Sequence, residues 1–181
     1  MNSFIALLRG VNVSGYNRIP MAELRLLCAE IGWSNVLSYI QSGNLVFRAD
    51  GKRSSLESEL KQAIDRRFGL SIEVIVRTGG DWVEYVGSNP FLDASQREPN
   101  LVMLTLSKEG PRECAVEEIR GHAQSDERIQ QIGDAIWIHY SHGVARSKLS
   151  PALLDRLVGS TVTARNWRTV LSIDRLLHDG E

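Results

Sequence analysis

Leu37-Ser38-Tyr39-Ile40-Gln41-Ser42-Gly43-Asn44-Leu45-Val46-Phe47-Arg48 decides the fold. Leu37 to Gln41 and Asn44 to Arg48 read as two strands joined across Ser42-Gly43, where glycine supplies the positive φ of a compact hairpin. Upstream, Met21, Leu24, Leu27, Cys28 and Ile31 recur at helical spacing behind Pro20, a residue favoured at helix starts, and Gly32 ends that run. Downstream, Ser54-Ser55-Leu56-Glu57 has the form of a capping box. Leu56, Leu60, Ile64 and Phe68 mark the buried face of the helix it opens, and Gly69 stops it. Outside these elements, Ser3 to Leu8 is a continuous apolar run, as expected of a strand covered on both faces, and Ile72 to Val76 is a fourth strand. The order is β-α-β-β-α-β, the split unit of ferredoxin-like folds.

Gly79-Gly80-Asp81 breaks the pattern. A short helix from Asp81 to Val86 and a loop through Asn89-Pro90 and Glu98-Pro99 form a connector. The order then recurs: a strand from Leu101 to Leu106, a helix from Pro111 to Arg120, and a hairpin of Arg128 to Ile132 with Ala135 to Tyr140 across Gly133-Asp134. Ser150-Pro151 opens another helix, Gly159 closes it, Thr161 to Thr163 makes a short strand, and a last helix runs from Trp167 to Leu177. The fold class is α+β, two ferredoxin-like split β-α-β units in tandem, a duplication of architecture without clear sequence identity between halves. Residues 1–78 form the first unit, 79–99 the connector with its short helix, and 100–181 the second unit with a C-terminal helix.

A chain of 181 residues, 43% hydrophobic and 24% charged, has the composition of a globular protein with a real core. Its net charge of −1 argues against a general polyanion-binding surface and leaves room for a local basic patch. Cys28 and Cys114 are too few for a disulfide framework, and Cys28 falls on the apolar stripe of the first helix as a reduced core residue. Met1-Asn2-Ser3-Phe4 shows no signal-peptide pattern and no run approaches a membrane span, so the expected setting is the cytoplasm, with no membrane partner.

The loop Arg9-Gly10-Val11-Asn12-Val13-Ser14-Gly15-Tyr16-Asn17-Arg18-Ile19-Pro20 lies between a strand and a helix, where α/β proteins often hold anions. Gly10-x-x-x-x-Gly15 imitates half of a phosphate loop, but Tyr16 and Asn17 stand where that chemistry needs lysine and a hydroxyl, so nucleotide hydrolysis is excluded. The structural reading is a long turn whose glycines take positive φ while Asn12 and Asn17 bond their own backbone. Ser42 and Asn44 present a hydroxyl and an amide at the hairpin tip, residue types that turns also favour for geometry alone. Arg165-Asn166-Trp167-Arg168 places two arginines around Asn166, the N-cap of the last helix, which together read either as an anion site or as a capped helix whose arginines pair with nearby carboxylates; Arg146 and Lys148 add charge nearby. Trp167 there is either a stacking platform or core. His139 and His142 lack the ligand set of a zinc site and read as a solvated turn, so no metal is expected and no cofactor is called for.

Leu7-Leu8-Arg9-Gly10-Val11-Asn12-Val13 through Pro20-Met21-Ala22-Glu23-Leu24, Tyr39-Ile40-Gln41-Ser42-Gly43-Asn44-Leu45-Val46-Phe47, Arg146-Ser147-Lys148-Leu149 and Thr163-Ala164-Arg165-Asn166-Trp167-Arg168-Thr169-Val170 follow in a specific order. In this combination, across nearly the whole chain, the sequence resembles the bacterial "domain of unknown function 1697" family. The resemblance implies a duplicated ferredoxin-like α+β protein of bacterial type and implies no activity. Tyr16 departs from it, standing where a lysine is expected in many relatives.

The leading functional reading is a module that binds a phosphorylated or nucleotide-like small anion. Arg9, Asn12 and Asn17, with Ser42 and Asn44, would meet Arg165, Asn166 and Arg168, with Arg146 and Lys148, in one cleft. An enzyme of unknown class using that cleft is the alternative, and it needs an acid, base or nucleophile beside the arginines. A protein-interaction or assembly role is a third, through an exposed apolar patch at Trp82, Tyr85 and Phe91. RNA binding through the sheet face is disfavoured, because the RNP1 pattern is missing and the first strand is apolar on both faces.

Overall fold

A computed structural model describes residues 1–124 and 126–179; the last two positions of the second unit drawn above lie outside them. The chain runs β1 (Asn2–Leu8), α1 (Met21–Glu30), β2 (Ser34–Tyr39), β3 (Asn44–Ala49), α2 (Arg53–Phe68) and β4 (Val74–Thr78). These strands make an antiparallel sheet of order β2-β3-β1-β4, in which β3 splits β1 from β2. After α3 (Gly79–Gly87) and α4 (Leu92–Arg97) the plan repeats as β5 (Val102–Ser107), α5 (Ala115–His122), β6 (Arg128–Ile132), β7 (Ala135–His139), α6 (Pro151–Val158), β8 (Val162–Asn166) and α7 (Trp167–Asp179). The second sheet has the same order, β6-β7-β5-β8, so both halves are ferredoxin-like.

Strand alternation builds each core. Phe4, Ala6 and Leu8 of β1, Leu45 and Phe47 of β3, and Val74 and Val76 of β4 pack with Leu24, Leu27 and Cys28 of α1 and Leu56, Leu60 and Ile64 of α2. Trp33 stacks on Phe47 at 3.8 Å between ring centroids, while its indole N–H donates to Glu59 at 2.9 Å. Each such large apolar side chain contributes roughly 1.5–3 kcal/mol by leaving water. Ile5 and Leu7 are buried as well, so β1 is covered on both faces, as its unbroken apolar run requires. In the second unit Ile136 and Ile138 of β7 lie with Val116 and Ile119 of α5 and Leu154, Leu157 and Val158 of α6. Cys28 is a buried free thiol, and burial, with Glu59 adding, pushes it up to about 12. Among the described residues no helix is long and apolar enough to cross a membrane.

Several local expectations give way to tertiary demands. Ser54 caps nothing: α2 starts at Arg53 behind Lys52, and no side chain caps it. Glu57, expected to close that box, instead turns inward, 6% exposed, and accepts the N–H of Val76 at 2.8 Å. Strand β4 is a sheet edge, and its N–H needs an acceptor more than the helix start does. Asp155 of α6 serves edge strand β8 in the same way, accepting the Val162 N–H at 2.8 Å.

The parallel extends to the strand ends. Arg77 donates to the Val76 carbonyl and Arg165 to the Ala164 carbonyl. Arg77 stands opposite Ile5 in β1 and Arg165 opposite Leu104 in β5. The next residue caps the following helix in each case. Thr78 Oγ1 accepts from the Asp81 N–H at 3.1 Å, and Asn166 Oδ1 accepts from the Thr169 N–H at 2.9 Å. Strand β8 therefore runs to Asn166, beyond the expected Thr163.

The chain divides into Met1–Val83 with the segment from Ser172 onward, and Glu84–Leu171. These divisions fall inside α3 and α7, and the end of α7 belongs with the first unit. Leu177 lies against Gly79, 3.3 Å from where a β-carbon there would stand. The connector holds a second helix, α4, where the sequence pattern predicts a loop. It is fixed by Asn89, whose amide donates to Ser95 Oγ at 2.7 Å and whose oxygen accepts from the Phe91 N–H.

Gly43 is required twice over. Its φ is +73°, and a β-carbon would stand 2.6 Å from Leu8 Cβ, because the Leu8 N–H donates to the Gly43 carbonyl at 2.8 Å. Gly133, in the second hairpin, also has positive φ, +59°, but meets open space. Gly43→Ala is expected to cost about 3 kcal/mol or more, left-handed strain plus overpacking, against roughly 1 kcal/mol for Gly133→Ala, in urea unfolding.

Candidate functional site

Residues 9–20 form a loop anchored at both ends by Val11 and Ile19, each 1% exposed. Between them Asn12 acts as a clamp. Its oxygen accepts the Ile19 N–H at 2.9 Å, and its amide donates to the Ile19 carbonyl at 2.9 Å and the Gln41 carbonyl at 2.7 Å. The loop is thereby tied to the β2–β3 hairpin tip. The Asn12 N–H donates to the Asn17 carbonyl, the Asn17 amide to the Gly10 carbonyl, and the Tyr16 N–H to the Val13 carbonyl. The Asn44 amide donates to the Tyr39 carbonyl and Ser42 Oγ. Arg9 is half-buried at the end of β1, its N–H donated to the Glu73 carbonyl.

Five expected site residues, Arg9, Asn12, Asn17, Ser42 and Asn44, thus share one end of the first sheet. The three asparagine amides are spent on holding backbone in place, as the structural reading of this loop has it. Asn12, Ser14 and Asn17 all have positive φ, and so does Ile40 at +49°. A β-branched residue there is under strain.

The clamp leaves a groove of about 460 Å³ lined by Asn12, Gly15, Arg18, Ile19, Pro20 and Gln41. Pro20 is the N-cap of α1, and no side chain caps that helix start. Arg18 is exposed, and its Nη2 stands 3.6 Å from where a Gly15 side chain would begin. It has no carboxylate within 4 Å among the described residues. The sequence points to Arg9 in this loop; what sets Arg18 apart is its place in the groove lining, which no local pattern reports.

The other five candidates belong to the second unit. Arg146 and Lys148 are exposed on the loop after β7, Arg165 and Asn166 end β8, and Arg168 lies in the first turn of α7. The C-terminal ends of β7 and β8 flank the start of β5, so these residues share one end of the second sheet. Asn166 is committed to its cap. Arg165 donates to Thr163 Oγ1 and the Ala164 carbonyl, each at 2.8 Å, and burial pulls its guanidinium down to about 10, still cationic at neutral pH. Trp167 is buried edge-on to Trp137 at 5.7 Å, which makes it core and not a platform.

Two further expectations are corrected. Trp82, Tyr85 and Phe91 are 0%, 5% and 6% exposed, so they form no apolar patch. Tyr85 donates to Asp134 at 2.7 Å, and Arg128 sits 4.8 Å over the Phe91 ring. His139 is buried, not solvated, between Arg128 Nε at 3.2 Å and Glu98 at 3.3 Å.

This geometry defines a class: a tandem ferredoxin-like α+β protein with a clamped loop and groove in its first unit. A family model for a protein of unknown function (DUF1697) matches residues 1–137, and the chain belongs to that family. Among solved structures it is similar to the conserved bacterial protein SP0830 from Streptococcus pneumoniae, at 22% identity and a TM-score of 0.74 over 97% of this chain and 98% of that one. That likeness extends the shared fold beyond residue 137. No curated protein sequence matches the chain.

Asn12→Asp keeps the acceptor for Ile19 and loses both donors, leaving two carbonyls facing a carboxylate. It is expected to cost about 2–4 kcal/mol at neutral pH; the facing carbonyls raise the folded-state pKa of the new acid, so the deficit shrinks as pH falls through that raised value and its recovery is complete by about pH 4, read by urea unfolding against pH. Ile40→Asn is expected to gain roughly 0.5–1 kcal/mol in the same measurement, because asparagine tolerates the left-handed region.

Proposed function

We propose that the protein is a cytoplasmic binding module for a small anion, a phosphate or carboxylate carried on a compact ligand, seated in the groove of the first unit. The observation that carries this reading is the uncommitted Arg18 guanidinium beside the uncapped start of α1, both on a groove of about 460 Å³. The first amides of a helix bear partial positive charge and point out of it, so they and a guanidinium favour the same ligand. The volume falls within the ~300–1,000 Å³ usual for small-molecule sites. Asn12 and Gln41 form its frame, and Arg9 adds charge at the same sheet end. None of the six lining residues is acidic, a histidine or a cysteine, which favours binding over acid–base chemistry. Arg146, Lys148, Arg165 and Arg168, with Asn166 between the last two, form a basic set in the second unit.

Thermal unfolding with inorganic phosphate, pyrophosphate, citrate and sugar phosphates tests the reading. A ligand at a hundred times its Kd stabilises by about 2.7 kcal/mol, or roughly 5–10 °C in a chain of this size. Arg18→Ala is expected to weaken the responding anion at least tenfold while leaving the melting temperature of the free protein unchanged. No response to any anion, or an equal response in Arg18→Ala, refutes it.

A further inference from the structure

Tyr16 is 76% exposed, more than any other large apolar or aromatic residue of the described chain. Its turn is braced by backbone and side-chain hydrogen bonds. The Val13–Tyr16 bridge closes its turn at 2.9 Å, and the Asn12 to Asn17 bond at 3.1 Å and the Asn17 to Gly10 bond at 3.0 Å brace that turn from behind. A large ring is therefore held in water on a backbone fixed from both sides. It stands next to Gly15 and two residues from Arg18, both in the groove lining, and Val13 and Ile40, 55% and 51% exposed, extend the apolar rim at this end of the sheet.

Resting on the anion-binding reading above, we infer that the anion is the phosphate of a nucleoside phosphate: Arg18 takes the phosphate and Tyr16 stacks on the base. An exposed aromatic ring can stack on any base, since every base has a π-face, and the guanidinium supplies the charge-assisted bonds a phosphate needs. Sugar phosphates would use only half of this arrangement. A free nucleotide and the phosphorylated end of a single strand offer the same two groups.

Calorimetric titration of the full chain with AMP and ribose 5-phosphate isolates the base, because the two ligands differ only there. A hexanucleotide with and without a 5′-phosphate separates the two sources. The expected result is AMP binding at least tenfold tighter than ribose 5-phosphate, with the advantage lost in Tyr16→Ala and kept in Tyr16→Phe. Tyr16 is exposed, so both variants are expected to fold as the parent does, and an unchanged melting temperature checks this. A phosphorylated hexanucleotide binding tighter than AMP assigns the nucleoside phosphate to a strand end. Equal affinity for AMP and ribose 5-phosphate overturns the base contact and leaves the anion reading standing. Binding of neither, nor of any other anion, overturns both.

Discussion

Asn12 spends its whole amide on the backbone, and the first unit's distinctive end depends on that expenditure. Its oxygen and one N–H satisfy Ile19 on both sides, as a neighbouring strand would, and its second N–H reaches the Gln41 carbonyl. Without it, Ile19 would enter the core with an unpaired N–H and carbonyl, and the hairpin tip would lose its brace. Buried backbone groups left unpaired cost about as much as a lost hydrogen bond each. The clamp has consequences on both sides. Inward, it fixes Val11 and Ile19 as core anchors. Outward, it fixes the turn that carries Tyr16 and the groove beside Arg18.

The two halves repeat at the level of hydrogen bonds, where they do not repeat in sequence. In each, a carboxylate from the second helix accepts an edge-strand N–H: Glu57 for Val76, Asp155 for Val162. In each, an arginine near the end of that strand bonds the preceding carbonyl and a polar residue caps the next helix. Edge β6 has its own guard, the Arg120 guanidinium on the Ile129 carbonyl, and β2 carries a register shift between Ser34 and Leu37. An exposed sheet edge invites pairing with other chains, so these devices protect the fold as well as stabilise it.

This explains which features were legible. Elements whose identity rests on local periodicity or on a bond three residues away were readable: the β2–β3 hairpin, the Ser150 and Asn166 caps, and the apolar faces of α1 and α2. Ser54-Ser55-Leu56-Glu57 failed because its pattern is local and the demand on Glu57 is not; only the sheet order shows that β4 is an edge. Helix α4 went unseen because a single asparagine, Asn89, sets its start through Ser95 and Phe91. The site residues divided on the same line. The sequence points to the 9–20 loop through its asparagines, which hold backbone in place, whereas Arg18 stands out only once its surroundings are known.

The duplication also supplies an internal control for function. A repeated scaffold shows which segments the fold itself requires, and departures from the repeat are what it does not require. The β1–α1 loop, residues 9–20, is longer than its counterpart, 108–114, and the hairpin tip 40–43 carries a strained Ile40 where the second unit turns on Gly133-Asp134. The second unit builds the same sheet without the longer β-to-α loop at this end, the clamp or a β-branched residue at positive φ. Backbone strain and extra ordered loop both cost stability, and neither is repaid by closing a sheet that the shorter version closes equally well. Such departures from the repeat are where a function would be built, and so the search for a ligand begins at Arg18 and Tyr16.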